Sequence, residues 1–183
     1  MPRIQPLTKD SAPQASIELL EAVEKKLGKV PNLLGTMANA PAALQAYLSL
    51  SQILDSSSLS PHLRESVALA IATQSGCGYC GSAHSAIGKM VGLESDQIES
   101  ALRASSNDPK TQAAINLALS IVRDRGWVSD DDFNAARNDG LTDAEIAEII
   151  PLTLFNLYTN YFNHIAETEI DFPVVELPEP VNA

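Results

Sequence analysis

The stretch "SGCGYCGSAH" at residues 75–84 holds both of the chain's cysteines, Cys77 and Cys80, with His84 four positions beyond. Three kinds of chemistry suit two thiols so spaced: a redox dithiol, half of a metal site, or a buried pair with no reactivity. A reactive pair needs a thiolate, a proton acceptor within reach, and a second thiol that closes the oxidised product as a disulfide. These ten residues contain a candidate for each role. If the chain is helical from Cys77 onward, Cys80 lies about 300° round the axis and His84 about 40° further, which puts all three on one face. Cys77 would then sit in the first turn, where unpaired amides and the helix dipole favour a thiolate. Ser75-Gly76 lets the backbone turn into that helix.

A carboxylate would complete a proton relay, and the preceding helix can supply one. The run "SVALAIA" (66–72) is apolar enough to be buried on most sides, with Glu65 at its edge beside Arg64. Position alone does not choose Glu65 over Glu94 or Glu99. The competing reading is zinc, with Cys77, Cys80, His84 and Glu65 as four ligands. Structural zinc sites draw a second cluster from elsewhere in the chain, and no other cysteine exists. The remaining histidines are distant in sequence. His62, at the second position of a helix, reads as surface. His164, among Tyr158, Tyr161 and Phe162, reads as core or interface packing, and the acidic "SDDDF" run as a solvated helix start.

The elements that must hold these residues are all helical. Residues 13–28 carry Ile17, Leu19, Leu20, Val23 and Leu27 at helical spacing and end at Gly28. "VPNLLGTMANAP" reads as a broken connector before a helix at 41–55. Ser60-Pro61 opens a helix through about Thr73, and the cysteine helix follows from Cys77 to Gly92. Further helices are predicted at 95–104, 109–125 and in "SDDDFNAARNDG". The last helix is capped by Thr142 with Glu145, and Pro151 should kink it. A proline-rich tail from about residue 170 is expected to lie extended over the surface or a neighbouring subunit. No strand pattern is present, which also excludes the alternating strands and helices of a thioredoxin-type C-x-x-C protein. The expectation is one all-α domain over residues 1–183.

Composition narrows the partners. A formal charge of −11 repels nucleic acid and anionic membrane alike. "MPRIQPLTKD" lacks a signal peptide's apolar run, and the longest apolar stretch, "IIPLTLFNLY", is too short to span a bilayer. A cytoplasmic protein is expected, in which thiols stay reduced and C-x-x-C is catalytic or metal-binding. No glycine-rich loop for a nucleotide is present, so neither an organic cofactor nor a metal is expected.

Glu65, eleven residues, Cys77-Gly-Tyr-Cys80, three residues and His84 together resemble the signature of alkylhydroperoxidase D-like (AhpD-like) proteins of the carboxymuconolactone decarboxylase superfamily. "VPNLLGTMANAPAAL" and "LTDAEIAEII…FNLYTNYFNHIAETEIDFP" resemble its peroxidase-related branch, so the likeness spans most of the chain. The resemblance implies an AhpD-like helical fold and a homo-oligomer, trimer or hexamer. It also implies hydroperoxide or disulfide reduction, fed by a dithiol of thioredoxin or lipoamide type. By the same resemblance Cys80 attacks the peroxide, Cys77 resolves it, and Glu65 and His84 relay protons. Some members carry a histidine just before the second cysteine, where this chain has Tyr79, an auxiliary hydrogen-bonding residue but a poor base at neutral pH. The dithiol argues against the superfamily's lactone decarboxylases, which do not use one.

Overall fold

The structure is a computed structural model and describes residues 1–180. Among the described residues there are nine α-helices and no strand. In chain order they are α1 (Gln14–Leu27), α2 (Asn32–Met37), α3 (Pro41–Asp55), α4 (Pro61–Gln74), α5 (Gly78–Val91), α6 (Ser95–Leu102), α7 (Pro109–Arg123), α8 (Asp130–Asn138) and α9 (Asp143–Ala166). The predicted connector at 30–41 therefore contains a helix. Pro31 precedes α2 in extended geometry, and Leu33, Leu34 and Met37 are buried beside Leu20 and Leu44. Tertiary burial stabilises a turn and a half that local sequence pattern did not reveal.

Helix α4 is the hub. It is buried from Ser66 to Thr73 and packs against α5, α6, α7 and α9. Its start follows from local chemistry: the Ser60 hydroxyl accepts the Leu63 N–H at 3.2 Å, and Pro61 occupies the first helical position. Its end sets up the cysteine helix. Gly76 adopts φ 67°, Cys77 N–H donates to Ala72 O at 2.8 Å and Gly76 N–H to Thr73 O at 2.9 Å. These two bonds and the left-handed glycine form a Schellman closure. Cys77 thus ends one helix and caps the next, one residue ahead of α5 rather than in its first turn.

Helix α9 runs from Asp143 to Ala166 with Pro151 inside it, its start held by the reciprocal bonds of Thr142 and Glu145. Its inward face is unusually polar, with Thr153, Asn156, Thr159, Asn160 and Asn163 all buried. Beyond it, residues 168–180 have no regular structure and lie across α5; residues 181–183 of the predicted tail fall outside the described residues. Small residues on α5 make the room: a Cβ on Gly81 would stand 2.5 Å from Leu177 Cδ2 and one on Gly78 3.6 Å from Ile170 Cδ1. The Ser82 hydroxyl accepts the Val175 N–H at 3.1 Å. No described helix is long and apolar enough to cross a membrane.

Two outcomes follow from this placement. Gly76→Ala puts a side chain at positive φ and lowers unfolding free energy by about 1 kcal/mol in a urea titration with unchanged slope. Gly81→Ala adds helix propensity of up to about 1 kcal/mol but drives Leu177 away. Limited proteolysis of that variant therefore cuts faster within 169–180, while its thermal midpoint stays near that of the parent.

Candidate active site

The head of α5 brings together four of the residues singled out in the sequence. Both cysteines are free and buried, Cys77 at 2% and Cys80 at 3% exposure. Cys77 Sγ serves as the helix cap and receives the Cys80 N–H at 3.5 Å. On the next turn His84 Nδ1–H donates to Glu65 Oε2 at 2.8 Å across the α4–α5 contact. With Nδ1 committed to the carboxylate, Nε2 is the nitrogen left to exchange protons. The Glu65 and His84 side chains are 15% and 20% exposed, so the site meets solvent on this side.

Electrostatics separate the two sulfurs. The hydrogen bond from the Cys80 thiol holds Cys77 below the ordinary thiol range against the opposing effect of burial, helped by the Cys80 N–H and the nearby His84. Cys80 moves the opposite way: sharing its proton with Cys77 and being buried push it well above that range. The pair accordingly holds one negative charge more readily than two, and Cys77 is the sulfur that loses its proton first. For His84, burial works against the charged form, but the charge and hydrogen bond of Glu65, with help from Cys77, raise its pKa.

Tyr79 does not face the proton relay. Its hydroxyl donates to Asp171 Oδ1 at 2.9 Å and accepts the Leu33 N–H at 3.1 Å, and burial pushes the phenol far above its ordinary value. Asp171 Oδ2 in turn accepts from the Asn32 backbone and from Lys29 Nζ, both at 3.2 Å. Phe172 sets its edge against the Tyr79 ring at 5.7 Å. Tyr79 thus fastens the tail, α2 and the head of α5 to one another.

Other predicted residues lie elsewhere. His62 is exposed, with Nε2 2.8 Å from Val91 O. His164 is exposed too and so is not packed in the core of the chain: it sits at the edge of the polar face, about 40° round α9 from Asn160 and about 100° from Asn163. Among the described residues no group of three or more His, Cys, Asp or Glu side chains is placed to hold a metal ion.

Two residues at the site carried no signal in the sequence. Asn163, buried on α9, donates Nδ2–H to Cys80 Sγ at 3.3 Å, while its Oδ1 is buried without a partner. Tyr47 on α3 packs beside the cysteine cluster and lies tilted against Phe155, ring centroids 5.1 Å apart. Burial, with the charges of Cys80 and Glu65 close by, pushes the Tyr47 phenol up to about 12. A lone Asn or Tyr in an amphipathic helix has no distinguishing spacing, so only the folded chain reveals either.

Comparison with known proteins agrees with this arrangement. Residues 41–106, which include Glu65, Cys77, Cys80 and His84, match the sequence model of the carboxymuconolactone decarboxylase family. No curated protein matches the chain significantly in sequence. Among solved structures, an uncharacterized peroxidase-related protein from Ralstonia eutropha with an alkylhydroperoxidase AhpD core is similar at TM-score 0.81 and 24% identity, over 93% of this chain and 92% of that one. An uncharacterized peroxidase-related protein from a Silicibacter species is similar at TM-score 0.78 and 24% identity, over 92% and 91%. The debrominase Bmp8, solved as a cysteine-to-alanine variant in complex with 2,3,4-tribromopyrrole, is similar at TM-score 0.78 and 20% identity, over 92% and 91%. Residues 41–106 thus carry the sequence pattern of the carboxymuconolactone decarboxylase family, and the helical fold of the chain is similar to that of the AhpD-core structures.

Proposed function

We propose that the chain is a thiol-dependent hydroperoxide reductase. The observation that carries the reading is a buried dithiol at a helix N-terminus, one turn from a His84–Glu65 pair that is open to solvent. A thiolate and an imidazolium one helical turn apart are the two groups that O–O cleavage needs.

The chemistry balances without a further oxidant. The cysteine pair loses one proton, and the thiolate, transferred to Cys80 by a proton shift onto Cys77, attacks the terminal oxygen of a hydroperoxide. The O–O bond breaks, and protonated His84 gives its proton to the departing alkoxide. Cys80 is left as a sulfenic acid and the substrate as an alcohol. Cys77 then attacks the Cys80 sulfur, forming the Cys77–Cys80 disulfide and releasing water. A dithiol, of thioredoxin or lipoamide type, would reduce that disulfide through a mixed disulfide at Cys77 and leave oxidised. Ile150, Leu154, Tyr161 and Ile165, exposed along one side of α9, support self-association of such a protein.

A second reading has a specific observation behind it. Tyr47, tilted against Phe155 beside Cys80, offers a flat apolar surface suited to an aromatic substrate, and the debrominase neighbour was solved with a brominated pyrrole. The same two-electron dithiol chemistry would then remove halide from an aromatic ring.

The deciding experiment adds roughly one equivalent of an organic hydroperoxide to reduced protein, then counts thiols and measures intact mass. Loss of both thiols with loss of two hydrogens is the expected result. Survival of both thiols in excess peroxide would sink the reading, and release of bromide from a bromopyrrole would then favour the second.

The relay has a pH signature. The rate rises as the pair loses its first proton, below the ordinary thiol range because Cys77 is lowered, and falls as pH passes through the raised pKa of His84. Glu65→Gln removes what raises His84 and leaves burial, so the falling limb moves to lower pH in a stopped-flow profile. Stability shifts with it. A histidine raised above its ordinary 6.5 stabilises the fold fully below that pH and loses the contribution as pH rises through the raised value. The stability gap between parent and variant is therefore widest below 6.5 in urea titrations and narrows above.

A further inference from the structure

Each sulfur of the pair has its own hydrogen-bond donor, and the two donors compete. Cys77 Sγ takes the Cys80 N–H at 3.5 Å and the field of the α5 N-terminus. Cys80 Sγ takes the Asn163 Nδ2–H at 3.3 Å from a different helix. Cys77 loses its proton first, yet hydroperoxide attack as proposed above needs the charge on Cys80. Something must make that transfer cheap. A donor aimed at the second sulfur does so, because a hydrogen bond to the charged form of a group favours that form.

We infer that Asn163 is the positioning residue that makes Cys80 the attacking sulfur, its amide N–H holding the negative charge there once the proton has moved to Cys77. This inference rests on the hydroperoxide-reductase reading and deepens it. Burial supports it: Asn163 is 4% exposed and its Oδ1 has no partner among the described residues, a cost that a residue serving only to pack would not carry. The same oxygen stands next to Cys80 and is free to accept the O–H of the sulfenic acid formed on that sulfur. Among its neighbours on α9, Thr159 is a lesser contributor that also lowers Cys80. Asn160 donates to Ser75 Oγ at 3.3 Å, and the Thr159 hydroxyl to Asn156 O at 2.9 Å. The titratable groups around Cys80 are Cys77 at the cap of α5, Tyr79 and His84 on α5, Glu65 on α4 and Tyr47 on α3; α9 contributes no charged side chain there.

The test isolates Cys80. In a Cys77→Ser background Cys80 is the only thiol, so the pH dependence of its alkylation by iodoacetamide reads its own titration. Adding Asn163→Leu, of similar volume but without a donor, is expected to raise that midpoint by about one unit, a tenfold loss of thiolate at neutral pH. Asn163→Asp keeps the shape, and its carboxylate raises the midpoint at least as far; it serves if the leucine variant fails to fold. Unchanged midpoints in folded variants would overturn the role of Asn163. That outcome is separable from failure of the peroxidase reading, because alkylation needs no peroxide. The parent protein treated with hydroperoxide tests that reading alone, through loss or survival of both thiols.

Discussion

Two adjacent buried thiols meet at the point where α4 ends and α5 begins, where one negative charge is easier to hold than two, and the rest of the structure depends on that constraint. A thiolate at 2–3% exposure is stable only if protein groups replace the water it has lost. The groups available are a backbone amide, the α5 N-terminus, the neighbouring thiol, an asparagine and an imidazole held by a carboxylate. Each comes from a defined place. The Schellman closure at Gly76 sets Cys77 as the cap, the α4–α5 contact brings Glu65 to His84, and α9 crosses behind to deliver Asn163.

The arrangement keeps the two sulfurs dry while leaving the His84–Glu65 pair partly in solvent. Cys77 and Cys80 are enclosed by α2, α3, α9 and the tail, whereas His84 and Glu65 lie partly in solvent. Protons can therefore exchange with water through His84 while the thiolate stays shielded. The tail contributes by lying over the glycine and serine face of α5, with the Tyr79–Asp171 bond fastening it. The small residues there have a packing purpose, since any side chain at Gly81 would collide with Leu177.

Much of this was legible in the sequence because it is local. Ser60-Pro61, Thr142 with Glu145, and Gly28 and Gly92 at helix ends are short-range stereochemistry, and the helices they bound appear within a residue or two of expectation. The C-x-x-C-x3-His spacing likewise needs only one helix to put its members on one side. What failed locally was α2, whose six residues are too few to show a period and whose helicity follows from burying Leu33, Leu34 and Met37. Of the core or interface packing expected for His164, the core half does not hold: an aromatic-rich segment looks buried, but the face of α9 turned to the core is its Asn and Thr face.

By itself the sequence determined the all-α class, the helix limits and the grouping of Cys77, Cys80 and His84, since each follows from contacts within one turn. The choice of Glu65 over other glutamates came with the family resemblance, and the fold brings that carboxylate to His84. Only the tertiary structure decided that Cys77 rather than Cys80 is the sulfur lowered below the ordinary thiol range, because that depends on which sulfur caps α5 and accepts from the other. It alone decided that Tyr79 serves the tail, that Asn163 reaches Cys80 and that Tyr47 borders the site. The Tyr79 and Asn163 contacts join residues 46 to 92 positions apart, and at such separations the chain's local preferences carry no information about who meets whom.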